Sequence, residues 1–249
     1  MAIVQFELKL NSTRLLTPTV LHLAFSRVDG QVLEFIPGQF ITFLLPTEDG
    51  KIARRSYSIA NTPQSSNIEI AVSPVEGGIA TRVLFNLKPA EVLMSSGPFG
   101  RLILPTENHP KKIVLAATGT GVSPYRAMLP QIQNILKQSP DVKFTLLLGV
   151  QYRKDLLYAE DFIAFAKQYP QFQFRAYLSR EELLIENYEY KGYLQQAFTE
   201  LNLDIANDLV YLCGNPNMID DAFAQLTEAG FPTPHIKREK YLSSPTSKN

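Results

Sequence analysis

Over its first hundred or so residues the chain alternates apolar and polar positions in short runs. Residues 5–10, 20–25, 40–45, 56–60, 68–72 and 92–95 are short and mostly alternating, as strands buried on one face are. Turn residues Asp29-Gly30, Pro37-Gly38 and Asp49-Gly50 separate several of these runs. Six short antiparallel strands in that length predict a small closed barrel. One helix, over about 79–87, interrupts them after Gly77-Gly78.

Near 105–112 the pattern changes. Residues 113–117 form a continuous apolar run, as a strand covered on both faces requires. Helical patterns over 124–137, 156–168, 194–201 and 218–229 then alternate with strand patterns over 143–149, 172–178, 209–213 and 235–242. That alternation predicts a parallel sheet wrapped by helices. The expected division falls near Asn108, giving a β-barrel domain at 1–108 and an α/β domain at 109–249. The polar stretch 243–249 is expected to fray.

Composition narrows the possibilities. The 249 residues are 45% hydrophobic and 19% charged, which suits a globular chain of one or two domains. No apolar run is long enough for a membrane-spanning helix, and the N-terminus lacks the basic-then-apolar order of a signal peptide, so a cytoplasmic location is expected. A single cysteine excludes an intramolecular disulfide, a four-cysteine zinc site and a cysteine-bound iron–sulfur cluster within this chain. The three scattered histidines, His22, His109 and His235, give no metal-site spacing, and no metal is expected. A net charge of zero offers nothing to a nucleic acid backbone.

Candidate chemistry lies in short segments. Gly119-Thr120-Gly121-Val122-Ser123-Pro124 follows an apolar strand and opens a helix. Gly119 and Gly121 permit a sharp bend and close approach, Pro124 suits a first helical turn, and free N–H groups there favour a pyrophosphate. The same turn also serves simply to join strand to helix. In Arg55-Ser56-Tyr57-Ser58, Arg55 and Tyr57 share one strand face, an arginine suited to phosphate and a ring suited to stacking, or else a surface cation and a packed tyrosine. Gly78 and Thr81 open the helix of the first half, a second potential phosphate site. Cys213 ends an apolar strand, where ligands of open α/β sheets bind, although such a cysteine is more often a buried packing residue than a reactive one.

Together these segments resemble the ferredoxin–NADP reductase family, flavoproteins that join an FAD-binding barrel to a nucleotide-binding α/β domain. The resemblance covers about 35–242. It implies that Arg55 holds the FAD pyrophosphate, Tyr57 packs on the flavin and Ser58 sits beside flavin N5. It makes Gly78 and Thr81 a second FAD-phosphate motif, and Gly97-Pro98-Phe99-Gly100 the turn closing the barrel. Gly119, Thr120, Gly121 and Pro124 match the NADP-pyrophosphate motif. Cys213-Gly214 with Pro216 and Met218 resembles the segment meeting the nicotinamide, and Glu239 and Tyr241 the C-terminal strand, where the tyrosine ring covers the flavin. Ser179 and Arg180 would hold the 2′-phosphate of NADP with Lys191, and Tyr193 would stack on adenine; Glu181 and Glu182 follow at once and oppose that charge. Two departures stand out: no aromatic residue lies between Val72 and Gly77, and Ala90 stands where the family often has glycine.

The implied activity is hydride exchange between NADPH and FAD, followed by single electrons passing to or from ferredoxin or flavodoxin. Ser58, Cys213 and Glu239 are the implied catalytic residues, Glu239 as a proton relay. Lys51, Arg54, Lys88 and Arg101 are candidates for docking the acidic carrier, and a monomer is expected. An oxygenase reductase component, a free-flavin reductase and a non-catalytic flavin-binding subunit are the competing readings.

Overall fold

The computed structural model describes residues 4–242; the expected fraying of 243–249 lies outside these. The chain forms two compact units. One comprises residues up to Ile103 with Ser123–Met128, the other Leu104–Val122 with Leu129–Leu242.

The first unit is a six-stranded antiparallel sheet of β1 (Gln5–Leu15), β2 (Leu21–Arg27), β3 (Phe40–Pro46), β4 (Ile52–Ser58), β5 (Ile68–Val72) and β6 (Val92–Phe99), in the order β4-β3-β6-β1-β2-β5. Alternation in β1 is strict at its start: Phe6, Leu8 and Leu10 are buried and their neighbours exposed. They meet Leu23, Phe25, Ile41, Phe43, Ile68 and Ile70 in one core, joined by Leu84 of α1 (Ile79–Asn86). Full burial stabilises each such side chain by about 1.5–3 kcal/mol, so a one-residue slip in register is strongly disfavoured. Beyond β4 the chain crosses to the opposite edge: Ala60 N donates to Glu69 O (2.8 Å), and Glu69 N to Asn61 Oδ1 (2.7 Å). Those bonds close the barrel at that end.

The second unit is a parallel sheet of β7 (Lys112–Thr118), β8 (Lys143–Val150), β9 (Phe172–Leu178), β10 (Glu189–Lys191), β11 (Leu209–Gly214) and β12 (Ile236–Lys240), ordered β10-β9-β8-β7-β11-β12. Central β7 is buried at five consecutive positions. Its Val114 and Ala116 join Leu212 and α5 (Pro216–Glu228), through Ile219, Ala222 and Leu226, in a second core. The chain leaves β7 toward β8 and returns to its other side as β11, so a topological switch point lies between β7 and β11, the place where such sheets bind ligands.

Some boundaries differ from expectation, each for a local reason. Strand β4 starts earlier and ends at Ser58, because Ile59 and Ala60 leave the ladder to bond Gln39 O and Glu69 O. The helix expected from 156 begins only at α3 (Ala159–Gln168): Tyr158 sits at φ 55° and breaks the turn, after a short 3-10 turn at Arg153–Asp155. The helix expected over 194–201 is a 3-10 turn followed by the four-residue α4 (Ala197–Glu200). The Gly97-Pro98-Phe99 turn is instead the end of β6, with a register shift opposite Phe40. Strand β10, three residues long, has no counterpart in the sequence pattern.

Candidate functional site

In the first unit, edge strand β4 pairs with β3 alone, setting Arg55 opposite Phe43, Tyr57 opposite Ile41 and Ser58 opposite Phe40. Arg55 and Tyr57 share the half-buried face. The Tyr57 ring lies 5.9 Å from that of Phe43, and burial pushes its phenol pKa up to about 12. Ser58 is buried. Arg55 Nη1 donates to Arg54 O (2.8 Å), and among the described residues no carboxylate pairs with its guanidinium. Its remaining donors suit a phosphate.

Gly78 is the N-cap of α1 and contributes no side-chain cap, which leaves the first-turn N–H groups available. Thr81 Oγ1 accepts from Val75 N (2.7 Å), folding residues 75–78 back onto the helix start. These features fit a phosphate-bearing flavin.

In the second unit a cleft of about 680 Å³ opens at the carboxyl ends of the parallel strands. Thr118 ends β7, Gly149 and Val150 end β8, Ser179 and Arg180 follow β9, and Asn215 follows β11; all line it. Tyr193, 68% exposed, stands at its rim with its ring available for stacking. Sequence reasoning missed Gln195, which lines the same cleft and whose buried Oε1 has no hydrogen-bond partner. The cleft offers a phosphorylated dinucleotide one open cation, a stacking ring and an unspent polar atom, beside one carboxylate, that of Asp221.

The glycine turn borders this region. Residues Gly119–Val122 form a 3-10 turn and α2 (Ser123–Gln138) starts beyond it, with Pro124 in its first turn and no side-chain cap. Gly119 has φ 52°, a left-handed conformation that favours glycine, so it and Thr120 turn sharply off β7. Gly121 is held by contact: a Cβ there would lie 2.8 Å from Gly214 Cα and 2.7 Å from the Cys213 carbonyl carbon. The turn thus packs directly on the end of β11.

Cys213, Glu239 and Tyr241 come together at the end of β11 and β12. Cys213 pairs in register with Glu239, and Tyr241 N donates to Gly214 O (2.8 Å). The Cys213 thiol is fully buried and stays protonated: burial raises its pKa well above normal, nearby Glu239 adds to this, and a hydrogen bond with Tyr241 opposes it. It is therefore a packing and contact group, not a thiolate nucleophile.

Lys191 does not line the cleft; its Nζ donates to Glu181 O. Glu181 does not line it either. Its Oε2 accepts from Arg153 N (2.9 Å), and its Oε1 lies 3.9 Å from Arg153 Nη1. Arg153 also makes a two-pronged pair with buried Glu189 (2.5 and 2.7 Å) and donates to Leu183 O (2.7 Å). Glu189 in turn accepts from Ile185 N (2.9 Å), and these bonds hold its carboxyl pKa down at about 2. Nothing in the sequence pattern marks this pair.

Among the described residues no group of three or more His, Cys, Asp and Glu side chains is arranged for a metal. No helix among them is long and apolar enough to cross a membrane.

Comparison with known proteins agrees with this geometry. Residues 7–103 match the oxidoreductase FAD-binding domain and residues 115–223 the oxidoreductase NAD-binding domain. A ferredoxin–NADP reductase B of Sorangium cellulosum is 31% identical over 245 residues, covering 95% of this chain and 97% of that one. The toluate 1,2-dioxygenase electron transfer component of Pseudomonas putida is 25% identical over 240 residues, covering 96% of this chain and 68% of that one. A Neisseria gonorrhoeae ferredoxin NADP+ reductase, solved with bound FAD and NADP, shares the fold at TM-score 0.82 and 19% identity, covering 96% of this chain and 99% of that one.

Barrel, parallel sheet and matched domains define an oxidoreductase with one flavin-binding and one dinucleotide-binding half. The chain belongs to the ferredoxin–NADP reductase family, and its cofactors are FAD and NADP(H).

Proposed function

We propose that this enzyme draws on NADPH through bound FAD and exchanges single electrons with an acidic carrier of the ferredoxin or flavodoxin kind. When bound, the two cofactors supply the redox chemistry: a hydride passes between nicotinamide and flavin, and electrons leave the flavin singly. The chain binds, orients and shields them. Residues 1–108 serve FAD, through Arg55 on the pyrophosphate, Tyr57 on the flavin ring, Ser58 as a hydrogen-bonding group at its N5, and the turn of Gly78 and Thr81 on a phosphate. Residues 109–249 serve NADP(H), through Gly119, Thr120, Gly121 and Pro124 on the pyrophosphate and Cys213 and Gly214 at the nicotinamide. Glu239 holds a proton near the reacting end, and Tyr241 provides the ring assigned to the flavin. Ser179 and Arg180 take the 2′-phosphate and Tyr193 the adenine. Lys191 reinforces the positive potential there from its place against Glu181.

The observation that carries this reading is the cleft at the strand ends. It gathers Ser179, Arg180 and Tyr193, and the Glu181 carboxylate that would repel a phosphate is bonded to Arg153. Arg54, Lys88 and Arg101 supply the carrier's docking surface, Lys51 being paired with Asp49, and the protein works as a cytoplasmic monomer in this proposal. The likeness to the toluate dioxygenase component supports a second reading, service to an oxygenase, in which the carrier belongs to that system. Anaerobic titration with NADPH and with NADH, followed by ferredoxin or flavodoxin, tests both. Bleaching of the flavin by NADPH and reoxidation by the carrier is the expected result; faster bleaching by NADH would reject the NADP assignment.

A further inference from the structure

We propose that Arg153 is a specificity-determining positioning residue, which keeps the Glu181 carboxylate out of the 2′-phosphate site. The inference rests on the NADP reading above and concerns the chain's own charges around that site. Strand β9 delivers Ser179 and Arg180 to the cleft, but the next residue is an acid. An acid beside this strand end is what disfavours a 2′-phosphate. Here Arg180 lines the cleft and Glu181 does not.

The reason is visible in the bonding. Arg153 engages Glu181 through its backbone N–H (2.9 Å) and its guanidinium (3.9 Å). The same guanidinium is anchored by buried Glu189 (2.5 and 2.7 Å) and by Leu183 O (2.7 Å), so its direction is fixed. Lys191 holds the Glu181 carbonyl from the other side. The loop between β9 and β10 is thus tied at 183 and 189 to the Arg153 guanidinium, and at 181 to the backbone N–H of the same residue with the guanidinium 3.9 Å away. Replacing that cation removes the positive charge 3.9 Å from the Glu181 carboxylate and leaves it uncompensated next to Arg180, held by the backbone N–H of residue 153 alone. A carboxylate several ångströms from a phosphate in a half-buried cleft costs on the order of tenfold in affinity.

The test is calorimetric titration of the FAD-loaded enzyme with 2′-phospho-ADP-ribose and with ADP-ribose, which differ only in the 2′-phosphate and undergo no redox chemistry. Wild type is expected to prefer the phosphorylated ligand. Arg153→Met should lose about tenfold of that preference with ADP-ribose affinity unchanged, Arg153→Lys should keep most of it, and Arg153→Met with Glu181→Gln should recover it. Equal loss for both ligands would show a merely structural role and overturn the inference, as would failure of the double variant to recover. If Arg153→Met does not fold, Glu181→Gln alone decides. A preference within about twofold of wild type supports a charge already neutralised, and a rise of several fold refutes it. Absence of any preference in wild type would instead reject the NADP reading itself.

Discussion

At the residue scale the most direct case is Ala90. It occupies φ 73°, and its N–H donates to Leu10 O (2.8 Å), so the turn before β6 cannot relax without breaking that bond. An L-residue pays about 1–2 kcal/mol in the left-handed region, while glycine pays only its extra chain entropy. Ala90→Gly is therefore expected to stabilise the protein by about 1 kcal/mol, read as a higher urea midpoint at unchanged slope. The alanine was legible as a departure from the family's glycine; its backbone angle was not. Ser58, buried at the end of β4, is assigned to the flavin. Ser58→Ala should slow NADPH-driven flavin reduction on the order of tenfold, the worth of one good hydrogen bond, with FAD content unchanged. An unchanged rate in stopped-flow mixing would remove Ser58 from the mechanism. Arg180→Ala should raise the KM for NADPH by at least about tenfold and leave that for NADH nearly alone, since only the phosphate uses a charge-assisted bond there. Equal effects on both would remove its 2′-phosphate role.

At the element scale, legibility followed burial on both faces. Central strands β7, β8 and β11 stood out because largely apolar runs have one structural meaning in an alternating chain, while β9 was legible from the alternation of Phe172, Phe174 and Ala176 with polar neighbours. Edge strand β4 was only partly legible: Ile52, Ala53 and Arg54 follow the Asp49-Gly50 turn without alternation, and pairing with β3 makes them a strand. The β9–β10 loop was invisible, since its order comes from a pairing thirty-six residues apart in sequence, Arg153 with Glu189. That pair makes an element-scale prediction. Its Arg153 bond above all lowers the Glu189 pKa from 4.5 to about 2 in the folded chain. A depressed carboxyl pKa adds stability that is complete above the unfolded value and disappears as pH falls through the folded one. The stability difference between wild type and Glu189→Gln should therefore shrink steadily from about pH 5 down to about pH 2, measured by urea unfolding. A difference that stays constant across that range would mean the charge of Glu189 contributes nothing. Arg153→Ala leaves the Glu189 carboxylate without its main partner and should lower the urea midpoint at neutral pH.

At the scale of the whole molecule, the ordered motifs identified family and cofactors, whereas the carrier surface cannot be read from total charge. Twenty-four basic and twenty-four acidic residues cancel, so no net charge draws an acidic partner from a distance. Any steering must come from local clusters, and the structure sorts the cations unequally. Lys51 is bound to Asp49 (2.7 Å) and Arg82 to Glu48 (3.1 Å), while Arg54, Lys88 and Arg101 are exposed without an acidic partner among the described residues. If those three dock the carrier, encounter is short-ranged and screened by salt over a Debye length of about 8–10 Å. The second-order rate of carrier reduction should then fall roughly tenfold between about 0.05 and about 0.5 M salt. The variant combining Arg54→Glu, Lys88→Glu and Arg101→Glu should start slow and show little salt dependence, while its flavin is still reduced by NADPH at the wild-type rate. Lys51→Glu should change far less, because its charge is already spent on Asp49. A carrier rate indifferent to both salt and the triple variant would place docking elsewhere on the surface and leave the NADPH-binding half untouched by the failure.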